Sequence, residues 1–352
     1  KGYQCRSRDL ERVRILPVHT AAISNGRLHK LRHLEFLLRG FRSCQKLKRN
    51  EHFDVVHWHG LWSDNLLARL FRRNGSNLIF TNHSSRFLEV EANRIKRLGL
   101  KAWLTRPDIC ISPSRELAEK YQSILRSVST LFIPNGVDIR NFGGKIDKKR
   151  ARKSLRLPHE GIIVACPRRL CEKNGVHFLV NAIPHIDSES PVYFAIAGSG
   201  PMERELKKMV SSINAADRVI FLGAVEYAKM PSFYAACDCA VFPSLREATS
   251  LAALEAMAAG LPVVASAVGG LVDLLDGSDA GFLVEPAQPL SIAEALNRVI
   301  ADVSLRNRAG MLARQLAENY SWEEIARRTE SAYLEAISSP VPSLQRDGHE
   351  PI

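Results

Sequence analysis

The sequence lacks the cysteine pattern of a disulfide-linked or zinc-binding domain. Its seven cysteines are an odd number, are widely scattered and form no Cys-x-x-Cys pair. Some lie in apolar runs, such as the one that contains Cys237 and Cys239. Buried, reduced thiols are typical of a reducing compartment. We therefore expect a cytoplasmic protein with free cysteines, and a secreted disulfide-linked protein is the less favoured alternative.

Long hydrophobic runs and paired aspartates are also missing. The longest nearly apolar run, 251–268, contains Glu255 and Pro262, which indicates a helix, a turn and a strand rather than a membrane span. No Asp-x-Asp motif occurs in the sequence, so the usual carboxylate pair for a Mg²⁺–diphosphate is absent. The sequence therefore predicts no metal site and no other cofactor.

Charge is divided unevenly along the 352 residues. Residues 1–150 contain 30 Lys and Arg against 13 Asp and Glu, whereas residues 151–352 contain 19 against 24. The basic half favours an anionic partner, such as phospholipid headgroups at the inner face of a membrane or a polyprenyl phosphate, and a solvated basic surface is an equally good interpretation. Its cations are not interleaved with aromatic residues, so we expect no nucleic-acid partner.

Short apolar runs alternate with helical segments, which predicts an α/β protein of two doubly wound, Rossmann-like domains that face a cleft. We expect one domain at 1–140, a second at 141–337 that ends in a helix over 322–337, and a flexible tail at 338–352. That last helix either closes the second domain or crosses back to the first. The predicted strands are 13–17, 55–57, 78–81, 109–112, 131–133, 162–166, 192–197, 219–221, 239–242, 262–265 and 282–284.

The segment 242–260 places two glutamates on either side of a predicted helix start. Thr249 and Ser250 are N-cap candidates. The free N–H groups of the first turn offer an anion site, with Glu247 before it and Glu255 roughly 9 Å along the axis. A phosphate between two carboxylates that bind hydroxyl groups would suit a nucleotide sugar. An ordinary capped helix is the more common source of such a pattern.

A glycine-rich loop at 197–202 follows another predicted strand. Gly198 and Gly200 would let the backbone approach a ligand at the carboxyl end of that strand. Glu203 stands where a dinucleotide-binding fingerprint has its third glycine, which makes a dehydrogenase the weakest functional hypothesis. A plain strand-to-helix turn is the alternative for this loop.

A basic loop follows the predicted strand 162–166. Arg168, Arg169 and Lys173 lie in this loop. Cations at the carboxyl end of a parallel strand fall in the ligand crevice of a doubly wound fold, where they could bind a diphosphate. A solvated basic loop is an equally good interpretation.

Five segments in order resemble family 4 of the retaining glycosyltransferases, which has the GT-B fold. They are Ile133-Pro-Asn-Gly-Val-Asp138, the basic loop, Ala197-Gly-Ser-Gly-Pro201, Phe221-Leu-Gly223 and the Glu-x7-Glu segment that continues to Val268-Gly-Gly270. The resemblance implies transfer of a sugar from a UDP- or GDP-sugar to a glycan, lipid-linked or small-molecule acceptor, as in cell-envelope polysaccharide biosynthesis. It also implies retention through an oxocarbenium-like ion pair, without metal.

For the sugar donor, the resemblance implies roles that can be carried over residue by residue. Glu247 would contact the transferred sugar and Glu255 the ribose. Arg169 and Lys173 would bind the diphosphate. The spacing from Arg169 is one residue shorter than in the commoner Arg-Leu-x-x-x-Lys-Gly, so Arg168 or Asn174 could share this role. The backbone near Thr249, Ser250 and Leu251 would hold the phosphates, and 221–225 would lie near the base.

In the first half, the resemblance points to three further residues. His83, after the predicted strand 78–81, would reach the donor sugar at the reacting face, and a structural histidine is the alternative. Trp58 and His59 are candidates for lining the acceptor cleft, and a structural role is equally well supported.

The chain begins at Lys1 without the strand, Gly-rich turn and helix with which family members usually open. We therefore expect an N-terminally truncated first domain whose activity needs testing. A nucleotide-sugar 2-epimerase of the same fold and an inactive nucleotide-binding protein are the alternatives to a transferase.

Overall fold

A computed structural model of the chain describes residues 29–59, 63–72, 75–83, 104–124, 126, 128–144 and 146–338. Two parallel sheets form the frame, as the alternation of apolar runs predicted. The expected strand 13–17, the expected N-terminal truncation and the tail after 338 lie outside the described residues.

Within the described residues, the first sheet has four parallel strands in the order β1-β2-β3-β4. Because its central strands are covered on both faces, every residue of β2 and β3 is buried. The strands are β1 Val55–Trp58, β2 Asn77–Thr81, β3 Ile109–Ser112 and β4 Ser129–Phe132, and the helices in the described part of this domain are α1 His29–Asn50, α2 Ser63–Arg72 and α3 Arg115–Ile124.

The second sheet has six parallel strands in the order β10-β9-β8-β5-β6-β7. The chain runs outwards from β5 to β7 and then returns to build β8 to β10 on the other side. The topological switch point therefore lies between β5 and β8, and ligands of doubly wound folds bind there. The strands are β5 Ile162–Cys166, β6 Val192–Ala197, β7 Val219–Gly223, β8 Cys239–Phe242, β9 Val263–Ser266 and β10 Gly281–Val284.

Helices cover both faces of the second sheet. The helix α5 begins after Asp147, which caps it by accepting a hydrogen bond from the N–H of Arg150. The helices that follow α3 in the described residues are α4 Ile139–Phe142, α5 Lys148–Ser154, α6 Val176–Ala182, α7 Glu203–Ser212, α8 Met230–Ala235, α9 Leu251–Ala258, α10 Gly270–Leu275, α11 Pro289–Ala301, α12 Val303–Glu318 and, packed elsewhere, α13 Trp322–Ser338.

The last helix, α13, crosses back to the first domain. Its Ile325, Ala332 and Ala336 share an apolar cluster with Ile79 and Ile109 of the first sheet. Of the two placements that the sequence allows for this helix, the structure therefore shows the second: α13 packs on the first domain although it follows the second domain in sequence. Ser321 caps the start of α13, since its Oγ accepts a hydrogen bond from the N–H of Glu324.

The chain crosses between the two domains twice, and the two crossing segments lie side by side. The N–H of Val137 donates to the carbonyl of Tyr320 at 2.8 Å. A Cβ at Gly136 would lie 2.6 Å from the ring of Trp322, so only glycine allows this approach. Among the described helices, none is both long enough and apolar enough to span a membrane.

Candidate functional site

The switch point of the second sheet brings two loops together. One follows β5 and carries the predicted basic residues, and the other follows β8 and leads into α9. The N–H of Leu245 donates to the carbonyl of Lys173 at 2.8 Å, which ties the two loops directly. Residues about 75 positions apart in sequence thus meet because their strands are neighbours in the sheet.

Arg168 is the central cation of this site. Its side chain is 9% exposed, and it donates to a carboxylate oxygen of Glu247 and to Ser244 Oγ. It also donates to Asn174 Oδ1 at 3.1 Å and to Ser250 Oγ at 3.3 Å. A guanidinium with several acceptors is a fixed, preorganised charge. Arg168 therefore joins the basic loop, the acidic loop and the cap of α9.

Arg168 also stands at the distance in sequence from Lys173 that the commoner Arg-Leu-x-x-x-Lys-Gly motif has. Counted from Arg168, Lys173 stands five residues on, as in the commoner motif, and Leu170 is fully buried beneath the loop. Arg169 is exposed and instead lines a neighbouring pocket. The assignment of the diphosphate to Arg168, to Arg169 or to both stays a prediction.

The helix α9 opens onto the same place. Ser250 is its N-cap, since its Oγ accepts from the N–H of Ala253 at 3.3 Å, and Thr249 precedes the cap. The N–H groups of Leu251 and the next residue have no partner within the helix, and they lie at the positive end of its dipole. The predicted anion site therefore has a cation, Arg168, beside it.

Glu255 lies one turn further along α9 and is held from behind by Tyr234. The hydroxyl of Tyr234 lies 3.0 Å from a carboxylate oxygen of Glu255 and 2.9 Å from the carbonyl of Ala252. Burial raises the pKa of Glu255 to about 7, and the hydrogen bond from Tyr234 opposes this shift. The carboxylate therefore titrates near neutral pH in the unliganded protein.

The glycines of 197–202 also allow a close approach between two loops. A Cβ at Gly198 would lie 2.0 Å from the carbonyl oxygen of Arg168, and one at Gly200 would lie 2.2 Å from that of Leu170. The two loops therefore pack backbone against backbone beside Arg168, and the role of Gly198 and Gly200 in binding a ligand stays a prediction. Beside them is a pocket of about 470 Å³, lined by Arg169, Ala197, Gly198, Ser199, Gly200, Ala224, Val225 and Met230.

Three histidines lie together at the carboxyl ends of β1 and β2. His59 Nδ1 is 3.0 Å from His83 Nε2, and the rings of His57 and His59 are 4.2 Å apart. The ring nitrogens of His57 lie 2.6 Å from Thr81 Oγ1 and 2.8 Å from the hydroxyl of Tyr333 on α13. Burial, with smaller effects of His59 and His83, lowers the pKa of His57 to about 3. Burial also lowers the pKa of His83.

Trp58 does not line a cleft, in contrast to its sequence-based interpretation. It is 5% exposed and stacks on Phe80 inside the core of the first domain. Adjacent residues of a strand point to opposite faces, so Trp58 and His59 could not both face the same cleft. The period of two could have identified His57, which the sequence analysis missed, as the partner of His59.

Tyr234, Ser244 and Tyr333 are the other contacts that sequence reasoning missed. Tyr234 and Tyr333 come from other helices, α8 and α13, whereas Ser244 lies within the segment 242–260, shortly before Glu247. In the described part of the chain, no group of three or more His, Cys, Asp or Glu side chains is arranged to hold a metal ion. The described cysteines are all free thiols.

Comparisons of sequence place both halves of the chain in known families. Residues 147–316 match the family described as Glycosyl transferases group 1, and residues 5–141 match Glycosyltransferase Family 4. A D-inositol 3-phosphate glycosyltransferase of Geodermatophilus obscurus is 30% identical over 318 residues, which cover 84% of this chain and 69% of that protein.

Solved structures agree with this family and its fold. Sucrose-phosphate synthase from Thermosynechococcus elongatus superposes with a TM-score of 0.73 at 26% identity and covers 86% of this chain and 78% of its own. Anabaena HepE, solved in complex with UDP, superposes with a TM-score of 0.74 at 21% identity over 88% and 84%. The chain is therefore a glycosyltransferase of family 4 with the GT-B fold.

Proposed function

We propose that this glycosyltransferase moves a sugar from a UDP- or GDP-linked donor to a glycan, lipid-linked or small-molecule acceptor, with retention and without a metal ion. The observation that carries the proposal is the contact of buried Arg168 with Glu247 beside the open N-terminus of α9. The structures of Anabaena HepE with UDP and with UDP-glucose support a nucleotide-sugar donor.

The diphosphate would lie between the N-terminus of α9 and the basic loop. Its charge grows as the bond to the sugar breaks, and Arg168, Lys173 and the first N–H groups of α9 are positioned to stabilise that charge. In this proposal, these groups replace a metal ion held by carboxylates, since the sequence has no Asp-x-Asp motif. Glu255, about one turn along the helix, would accept hydrogen bonds from the ribose hydroxyls.

Glu247 would bind the transferred sugar rather than attack it. Its carboxylate is paired with the guanidinium of Arg168, and such a pair stabilises the anion and makes it a weaker nucleophile. This supports same-face attack by the acceptor through an oxocarbenium-like ion pair. His83 would contact the sugar from the first domain, with His59 holding its ring by the hydrogen bond between them.

We also propose that the enzyme works in the cytoplasm at the inner face of a membrane, as in cell-envelope polysaccharide biosynthesis. The excess of cations in residues 1–150 supports this. One exposed stripe of α1 combines two large apolar side chains with three cations, namely Leu38, Phe41, Arg42, Lys46 and Arg49. Such a stripe suits an anionic bilayer surface. Sedimentation with anionic but not with zwitterionic vesicles is the expected result.

A panel of UDP-, GDP- and ADP-sugars tests the proposed reaction. We expect Glu247→Ala to abolish turnover with little loss of nucleotide affinity, and the control Glu203→Ala, at an exposed pair with Lys207, to behave as the wild type. Conversion of a nucleotide sugar without any acceptor would identify an epimerase instead. Binding without any turnover would identify an inactive nucleotide-binding protein.

A further inference from the structure

A carboxylate of the second domain caps a helix of the first. Asp273, on α10, accepts a hydrogen bond at 2.9 Å from the backbone N–H of Arg115, the first residue of α3. The side chain of Asp273 is 9% exposed, and its other oxygen lies 3.6 Å from Nε of Arg115. The side chain of Arg115 is largely solvated, so the ion pair contributes little and the backbone contact carries the interaction.

The same contact region includes the loop that carries Glu247. Ala248 is buried, and it belongs to the apolar cluster of the first domain that contains Leu117 of α3. At the start of α10, a Cβ on Gly269 would lie 1.8 Å from the carbonyl oxygen of Glu247 and 3.3 Å from the carboxylate of Glu116. The beginning of α3, the beginning of α10 and the Glu247 loop therefore form one packed junction between the domains.

We infer that Asp273 is a positioning residue that latches the first domain onto the Glu247 loop. Capping α3 across the domain boundary satisfies an N–H group that would otherwise lack a protein partner. It also fixes Glu247 with respect to His83 and the rest of the first domain. When the domains separate, water can hydrate both Asp273 and the N–H group, so the latch is reversible.

The contact between Asp273 and Arg115 does not depend on the proposed function. Its effect on turnover does, because that effect rests on the proposed transfer reaction. Its effect on conformation is independent of that reaction, because hydrogen exchange at the Arg115 N–H can be measured in the protein without substrate. Burial raises the pKa of Asp273 and the hydrogen bond from Arg115 lowers it, so the carboxylate depends on that partner. Glu119 of α3 adds a smaller, unfavourable charge.

Amide hydrogen exchange at Arg115 in the unliganded full chain tests the latch directly. We expect Asp273→Ala to speed exchange at Arg115 about tenfold, because this N–H loses the carboxylate that accepts its hydrogen bond. Asp273→Asn keeps an oxygen acceptor and should stay within about threefold of the wild type. Arg115→Ala removes only the solvated side chain and should change exchange less than about twofold.

A matched control separates the latch from the ordinary loss of a helix cap. Asp302 caps α12 within the second domain, where it accepts from the N–H of Leu305 at 2.9 Å. Asp302→Ala should lower the melting temperature as Asp273→Ala does, but leave exchange at Arg115 unchanged. Equal exchange at Arg115 in the wild type and Asp273→Ala would overturn the inference.

Turnover and nucleotide affinity should respond differently. The residues proposed to bind the nucleotide all lie in the second domain, so Asp273→Ala should lower kcat about tenfold and leave the Kd of UDP or GDP unchanged. Asp273→Asn should restore most of kcat. A parallel loss of nucleotide affinity would contradict a positioning role. If no variant or wild type transfers sugar, the proposed function fails while the exchange result still decides the latch.

Discussion

Arg168 and Glu247 form a nearly buried ion pair between loops that follow neighbouring strands of the second sheet. Their side chains are 9% and 13% exposed. Ser244, Asn174 and Ser250 also accept hydrogen bonds from the guanidinium of Arg168. One cation therefore sets the position of the loop that would bind the sugar and of the helix that would bind the phosphates.

Removal of Arg168 should damage both stability and turnover. Arg168→Ala leaves the carboxylate of Glu247 buried without its partner, which costs about 3–5 kcal/mol for a pair of this kind. Arg168→Lys keeps the charge but cannot reach the same acceptors, so we expect a smaller loss. Urea unfolding and steady-state kinetics measure the two effects. For stability, Arg169→Ala is the matched control. If Arg169→Ala lowered the free energy of unfolding as much as Arg168→Ala does, the assignment of Arg168 as the central cation would be contradicted.

Nucleotide affinity should rise with pH because of Glu255. Its pKa of about 7 means that the carboxylate is mostly protonated at pH 6 and mostly ionised at pH 8. If the ionised form binds the ribose, affinity should increase by up to about tenfold over this range. Titration of UDP or GDP at several pH values measures this. Glu255→Gln, which removes the ionisation, should abolish the increase, and an equal increase in both proteins would rule out Glu255 as its source.

Tyr234 offers an independent check on the same carboxylate. Its hydrogen bond lowers the pKa of Glu255, so Tyr234→Phe should raise that pKa further. The midpoint of the pH dependence of binding should then move to higher pH. Tyr227→Phe, at an exposed tyrosine whose hydroxyl makes no hydrogen bond to Glu255 in the structure, is the comparison. A midpoint that falls in Tyr234→Phe would contradict this account.

His57 should make the protein less stable in acid. Its pKa is about 3 in the folded protein and 6.5 in its ordinary state, so between these values the unfolded chain binds more protons. Stability is therefore complete above about pH 6.5 and falls as the pH decreases towards 3, by up to about 1.4 kcal/mol per pH unit. Unfolding of His57→Gln across this range should show a shallower slope. His185→Gln, at an exposed histidine, should keep the wild-type slope.

Strong local patterns were predicted well, while contacts between distant segments were not. The apolar runs at 162–166, 192–197 and 239–242 correspond to β5, β6 and β8 at the predicted bounds, because buried parallel strands are continuous apolar segments. The N-cap at Ser250 follows from its short polar side chain before a helix. These features depend only on neighbouring residues.

The errors and omissions have a common physical source. The packing of α13 on the first sheet, Tyr234 behind Glu255 and Tyr333 beside His57 all depend on how distant segments fold together. Burial of Arg168 and exposure of Arg169 likewise depend on which side of their loop faces inwards. The interpretation of Trp58 could have been corrected from sequence, by applying the two-residue period of a strand to its neighbour His59.

Transfer should proceed without divalent metal. Arg168, Lys173 and the N-terminus of α9 are the groups proposed to balance the leaving diphosphate. Treatment with EDTA should leave kcat within about twofold of its value with Mg²⁺, because the proposed charge stabilisation comes from the protein. Complete loss of activity that Mg²⁺ restores would contradict the metal-independent mechanism.

Calorimetric titration of UDP, GDP and ADP into the wild type and Glu255→Ala tests the central claim most directly, because it asks whether the start of α9 is a nucleotide site. We predict that at least one diphosphate binds the wild type and binds Glu255→Ala about tenfold more weakly, as expected for the loss of hydrogen bonds to a carboxylate. Binding of equal strength to both proteins, or no binding to the wild type, would contradict the account.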